Sequence, residues 1–301
     1  MELDDELAPA VGLDLEVERS RWEPVPPPAR KPALRCAFVD GVRRVEVRLF
    51  AEEGAVQAPA LAGSWAVGCA WAGQKPQITE VRVGRELVVG GGLTANPLHA
   101  MIGTMPVRFR PSAVAGSAPL DPLRGLQNAM REGEAELARG LLADGEAELV
   151  VADGPLAYVY EGPLLGMVKR QTRSYLDGER ARLLARLKIG ERTPIFKLGE
   201  QRLERYSWYL RLSDGRAIDG TMTGLVRLEV AAAGGLTSAQ SLAELAAAAL
   251  PRLASEPGRD ARAPQNLYPI AALEGLLRHR LGDSHLIRRA IEARLWEEGD
   301  G

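Results

Sequence analysis

No apolar run in the sequence approaches the ~20 residues needed to cross a bilayer, so membrane insertion is not expected. The first residues, MELDDEL, are acidic where a secretory signal would be basic and then apolar, which points to a cytoplasmic protein. Cysteine is scarce. Cys36 and Cys69 both lie in apolar, strand-like stretches and read as buried thiols of a reducing compartment, not as a disulfide framework. Two cysteines and three histidines leave little material for a Cys/His zinc site. An excess of base is also missing: 38 Lys+Arg against 40 Asp+Glu give a net charge of −2, unlike a stand-alone nucleic-acid binder. Lysine supplies only five of those 38 bases, a bias that fits either a GC-rich genome or bidentate phosphate contacts.

What is present suits an ordinary globular chain: 301 residues, 46% hydrophobic and 26% charged, enough for one large domain or two small ones. The charge is uneven. The first eighteen residues carry seven acids and no base, whereas residues 161–220 carry thirteen Lys/Arg against eight Asp/Glu. That local excess is either a face for a phosphate backbone or a set of solvated amphipathic faces.

Residues 1–33 combine the acidic start with WEPVPPPARKP, a Pro-dense stretch poor in ladder donors, and read as an arm ahead of a main domain at 34–301. ALRCAFVDG and VRRVEVRLF follow, with Gly41 between them, as a β-hairpin candidate. Further strand-like segments lie near 65–71, 77–89 and 105–110. Asp121-Pro122 opens a helical pattern in which Leu123, Leu126, Met130, Leu137, Ala138, Leu141 and Leu142 recur at spacings of three and four. AELVVADG reads as a short buried strand and residues 176–188 as a helix, followed by strands in TPIFKLG, RYSWYLRLS and GLVRLEVAA. A helix capped by Thr237 or Ser238 comes next, and two more from Tyr268 to Trp296 meet at Gly282-Asp283. Grouped strands followed by alternating elements predict an α/β domain with a mixed sheet.

Acidic residues in apolar surroundings are the informative feature, because an uncompensated buried carboxylate costs several kcal/mol. Asp40 ends the run CAFV, and Asp153 ends LVVA; each is followed by glycine. Between them, Glu134 stands in the apolar stripe of its helix and aims at the sheet, while Glu132 and Glu136 fall on the polar face. A single Asp-Gly after a strand is an ordinary turn. Two such aspartates with an inward glutamate also match a two-metal phosphoryl-transfer site, whose hard oxygens hold Mg²⁺ or Mn²⁺ about 4 Å apart. From the residues alone, the metal-nuclease and structural readings both stand.

FVDGVRR (38–44), LVVADGPL (149–156), GMVKR (166–170), TPIF (193–196), SWYLRL (207–212), VRLEV (226–230) and QNLYPIAALE (265–274) resemble, in this order, the motifs of the NurA nuclease family. The resemblance spans about 35–280. It implies an RNase H-like fold with a central mixed sheet flanked by helices. It also implies Mn²⁺- or Mg²⁺-dependent cleavage of DNA, of 5′–3′ exonuclease and single-strand endonuclease type, with two bound ions. A HerA-type hexameric ATPase would be the partner and a homodimer the working form, acting in DNA end resection. Asp40, Glu134 and Asp153 match the family's metal ligands, and Tyr268 a tyrosine near the metals. Lys169 and Arg170 lie in the G-x-x-K stretch, where Lys169 would neutralise phosphate; as a plain strand residue it would be an exposed lysine.

Two positions depart from the pattern. Val42 replaces the serine of the first motif, and Leu276 stands where the last motif carries histidine. Glu274 or His279 could substitute, although on a helix neither points as residue 276 does, and His279 among arginines reads as a surface residue. A second reading is therefore a weak or inactive NurA-like subunit that binds DNA or docks on an ATPase, and a third is an RNase H-like enzyme acting on RNA. Trp208 and Tyr209 could stack bases, but alternation along a strand turns at least one of them into the core.

Overall fold

The structure, a computed structural model, describes residues 12–29, 34–73, 76–156, 162–169, 175–200, 203–214, 220, 222–256 and 263–299. Its strands are β1 (Gly12–Asp14), β2 (Cys36–Glu53), β3 (Val56–Ala72), β4 (Gln77–Val89), β5 (Leu98–Ile102), β6 (Met105–Ala113), β7 (Leu149–Asp153), β8 (Leu164–Val168), β9 (Phe196–Glu200), β10 (Leu203–Arg211) and β11 (Leu225–Ala231). The helices are α1 (Asp121–Asp144), α2 (Gly178–Arg186), α3 (Gly235–Ala249), α4 (Tyr268–Arg280) and α5 (Ser284–Gly299). The strands form one sheet in the order β1-β9-β10-β11-β8-β7-β2-β3-β4-β6-β5. It is mixed: β2, β7 and β8 run parallel, as do β4 and β6, while β8-β11-β10-β9-β1 continues antiparallel. This is the expected α/β class, a large mixed sheet flanked by helices and compatible with an RNase H-like fold. No helix among the described residues is long and apolar enough to cross a membrane.

The chain divides into two compact units. The first comprises Met1–Asp40, Cys69–Thr79 and Leu137–Leu273. One of its cores packs Ala37, Val39, Cys69, Trp71, Leu137 and Val150; another packs Leu183, Leu184, Phe196, Leu198 and Tyr209. Burial raises the Cys36 thiol to about 11, with Glu148 adding to the shift, which leaves it an inert core residue. The second unit comprises Gly41–Gly68, Glu80–Glu136 and Glu274–Gly301, with Ala62, Leu87, Val89, Phe109, Ile287 and Ile291 at its core.

Two expectations need correction. In place of the candidate hairpin at 33–50 there is a single 18-residue strand, β2, which passes straight through Asp40-Gly41. Gly41 makes room for a helix instead of a turn: a Cβ there would lie 2.5 Å from Glu134 Oε1 and 2.9 Å from Met130 Cγ. Helix α3 begins before Thr237 and Ser238, with Gly234 as its N-cap, because Gly235, at φ +77°, turns the chain directly into the helix.

Part of the proline-rich arm is packed structure. β1 pairs antiparallel with β9, and the Val25 N–H donates to the Arg192 carbonyl at 2.9 Å. Trp22 lies 6.2 Å from Phe196, centroid to centroid, and donates its indole N–H to the Leu15 carbonyl at 2.8 Å. Glu18 anchors the segment: Arg192 donates to its two oxygens at 2.8 and 2.9 Å and the Ile195 N–H adds 2.6 Å, with both side chains at most 3% exposed. Residues 1–11 lie outside the described residues.

Burial works to raise the Glu18 carboxyl, but the Arg192 guanidinium, the Ile195 N–H and Gln240 together hold it below the usual carboxylate range. A carboxyl depressed in the folded state stabilises above its unfolded value, near ~4.3, and loses that contribution as pH falls through the folded value. Glu18→Gln should therefore lower stability near neutral pH by about 3 kcal/mol. Urea unfolding at a series of pH values should show the gap to wild type closing in acid.

Candidate metal centre

The register of two parallel strands builds the centre. β2 pairs with β7 through Cys36↔Leu149, Ala37↔Val150, Phe38↔Val151 and Val39↔Ala152, so Asp40 and Asp153 are the next residues on neighbouring strands. Both strands enter the core as apolar runs, CAFV and LVVA, and both present their first acid at the same level. After Asp153 the chain does turn: Gly154 takes φ +113° and its N–H donates to the Met167 carbonyl at 2.9 Å. The identical Asp-Gly pair thus continues one strand and ends the other.

Asp40 is 6% exposed. Carboxylate oxygens of Asp40 and Asp153 lie within 4.8 Å of one another. Glu274 belongs to α4, is buried, and accepts a hydrogen bond from Arg278 at 2.9 Å. The Glu134 carboxylate sits over the backbone of Gly41, so its helix aims it at β2.

Lys169 is not an exposed strand lysine. It follows β8, which runs parallel to β7 with Asp153 opposite Met167. Its Nζ donates to Asp153 Oδ2 at 2.6 Å and to Asn266 Oδ1 at 2.7 Å, leaving the side chain 11% exposed. Asn266, fully buried, had no reading of its own within QNLYP; its carbonyl also accepts the Ser255 N–H at 2.8 Å. Its only sequence signal is membership of that motif, two residues ahead of the helix.

Tyr268 opens α4 and is half-buried, Val42 is buried in β2, Leu276 is half-buried, and His279 is exposed as expected. Arg170 lies outside the described residues. Trp208 and Tyr209 are both buried, which removes them as base-stacking platforms; β10 is covered on both faces, so alternation leaves neither of them outside.

Hard carboxylate oxygens at this spacing fit a divalent cation of the Mg²⁺ or Mn²⁺ kind. Residues 107–276, more than half of the chain, match the family model of the NurA domain. The chain belongs to the NurA family. NurA is a nuclease family, so the general activity is phosphodiester hydrolysis and the general ligand is nucleic acid. The NurA match takes in Glu134, Asp153, Lys169, Tyr268 and Glu274; Asp40 precedes it and enters the centre through strand register. No curated protein matches the chain.

Gly41→Ala is expected to cost about 1–3 kcal/mol in denaturant unfolding, because the added methyl has to displace Glu134 and Met130. In the Gly41→Ala/Glu134→Ala double variant part of that loss should return, and a strictly additive pair would show that the two residues do not compete for this space.

Proposed function

We propose that this NurA-family chain is a divalent-metal-dependent deoxyribonuclease acting at DNA ends. The observation that carries the reading is the pair Asp40 and Asp153, set on adjacent parallel strands with their carboxylates converging. A bound divalent ion would supply Lewis acidity toward a phosphoryl oxygen and would lower the pKa of water. Asp40 and Asp153 would hold it, with Glu134 as the further carboxylate that the motif match implies, in a two-ion arrangement in which Mn²⁺ or Mg²⁺ serves.

Lys169 has the place and the charge to meet a non-bridging phosphate oxygen: its ammonium is fixed between Asp153 and Asn266, so little side-chain entropy remains to be lost when substrate arrives. Arg170 would extend that contact along the strand. Tyr268, at the head of α4, would place its hydroxyl near the reacting phosphate. Because the net charge is only −2, the grip on DNA would come from the base-rich region 161–220, from a second copy of the chain, and from a HerA-type ATPase partner in end resection. The 5′–3′ exonuclease and single-strand endonuclease activities belong to the same proposal.

The test is cleavage of end-labelled single- and double-stranded DNA by the purified protein with Mn²⁺, Mg²⁺ or EDTA. Wild type should cut only with metal, and Asp153→Asn and Asp40→Asn should each lose more than about 100-fold while unfolding cooperatively like wild type. Full activity in Asp153→Asn would refute the assignment. A folded wild type that never cuts, even with a HerA-type ATPase present, would instead favour a non-catalytic binding subunit, the reading that Val42 and Leu276 suggest.

A further inference from the structure

Glu229, in the middle of β11, is fully buried although it is an acid. Its Oε1 accepts Arg205 at 2.9 Å and its Oε2 accepts Arg227 at 2.5 Å, so two guanidinium groups pair with it in the interior. Arg227 is itself fixed, by a 3.2 Å bond to Ser207 Oγ and by stacking 5.1 Å from the centre of the Tyr175 ring. One further donor reaches Oε1, and it comes from a different part of the chain: the backbone N–H of Leu156, at 2.8 Å.

Leu156 closes the turn that begins immediately after Asp153. Strand register explains how Glu229 reaches it. Glu229 pairs with Gly166 of β8, and Gly166 pairs with Ala152 of β7, so the three sit side by side across the sheet. At Gly166 the space of a side chain is filled by the turn: a Cβ there would meet Leu156 Cγ at 2.9 Å, and the Gly154 oxygen and Leu156 nitrogen at 3.0 Å. The missing side chain lets the turn lie down on β8, where the Glu229 carboxylate takes hold of it.

We infer that Glu229 is a positioning residue for the metal centre: from β11 it holds the Gly154–Leu156 turn by the Leu156 N–H and thereby fixes where the Asp153 carboxylate stands. The inference rests on the reading of Asp153 as a metal ligand. Glu229 touches neither metal nor substrate, so it acts through the backbone that carries the ligand.

The experiment is calorimetric titration of the full chain with Mn²⁺, without DNA, for wild type and four variants: Asp153→Asn, Glu229→Ala, Glu229→Gln and Gly166→Ala. Glu229→Ala removes the anchor, and Gly166→Ala displaces the turn without touching a charge; both should weaken Mn²⁺ binding about 10- to 100-fold. Glu229→Gln keeps an acceptor for the Leu156 N–H and should stay within a few-fold of wild type even though it loses its ion pairs. If Asp153→Asn binds Mn²⁺ as wild type does, the metal-centre reading itself fails. If Asp153→Asn loses Mn²⁺ while Glu229→Ala and Gly166→Ala bind it like wild type, the centre stands and the positioning role is overturned. Amide exchange on the wild-type protein gives an answer that needs no variant to fold: exchange at Leu156 should slow when Mn²⁺ is added, by the reciprocity of coupled equilibria. A Leu156 amide that exchanges equally fast with and without Mn²⁺ contradicts the inference.

Discussion

Asp40, within β2, and Asp153, at the end of the neighbouring parallel strand β7, present two like carboxylates to one another, and that repulsion is the constraint the site in the first unit answers. At the separation of Asp40 and Asp153, within 4.8 Å, two unit charges cost about 3 kcal/mol at an effective dielectric near 20. The β2–β7 register makes the proximity unavoidable, since each strand ends its apolar run on the same level. Lys169 answers part of the charge at 2.6 Å and is held in place by Asn266. The donor set therefore combines hard oxygens, a shared position and one fixed ammonium, a combination suited to a divalent cation and a phosphate together.

The second unit shows how the helix that carries Glu274 is held at its far end. Arg44 donates to the Gly282 carbonyl at 2.9 Å and Arg85 to the Leu281 carbonyl at 3.1 Å, placing two cations where the exposed carbonyls of a helix end are most negative. Both arginines lean on Glu46, which is fully buried and also accepts Ser64 Oγ at 2.6 Å. Charge is used here as scaffolding, much as Glu18–Arg192 is used to fix the N-terminal segment in the first unit.

How much of this could be read from the sequence follows from how local each signal is. That Asp40 and Asp153 stand where buried strands leave their apolar runs was legible because an apolar run that stops at an acid is a property of five adjacent residues. The α1 stripe, with Glu134 on its inner face, was legible for the same reason. Gly41 was misread because glycine serves a turn and a close helix crossing equally well, and only the partner, Glu134, tells them apart. The packing of the arm was not legible because its anchor joins residues 174 apart. Asn266 meets Lys169 across 97 residues, and Glu229 meets Leu156 across 73; contacts of that kind leave no trace in composition or periodicity.

The central claim is that Asp40 and Asp153 share a divalent ion. Its most direct test is a crystal structure grown with millimolar Mn²⁺ and measured at the manganese absorption edge, where the ion is identified by its anomalous scattering. An anomalous peak in coordinating contact with carboxylate oxygens of both aspartates is the predicted result. A well-ordered structure in which both aspartates are clear of anomalous density, with Lys169 still bonded to Asp153, would contradict it.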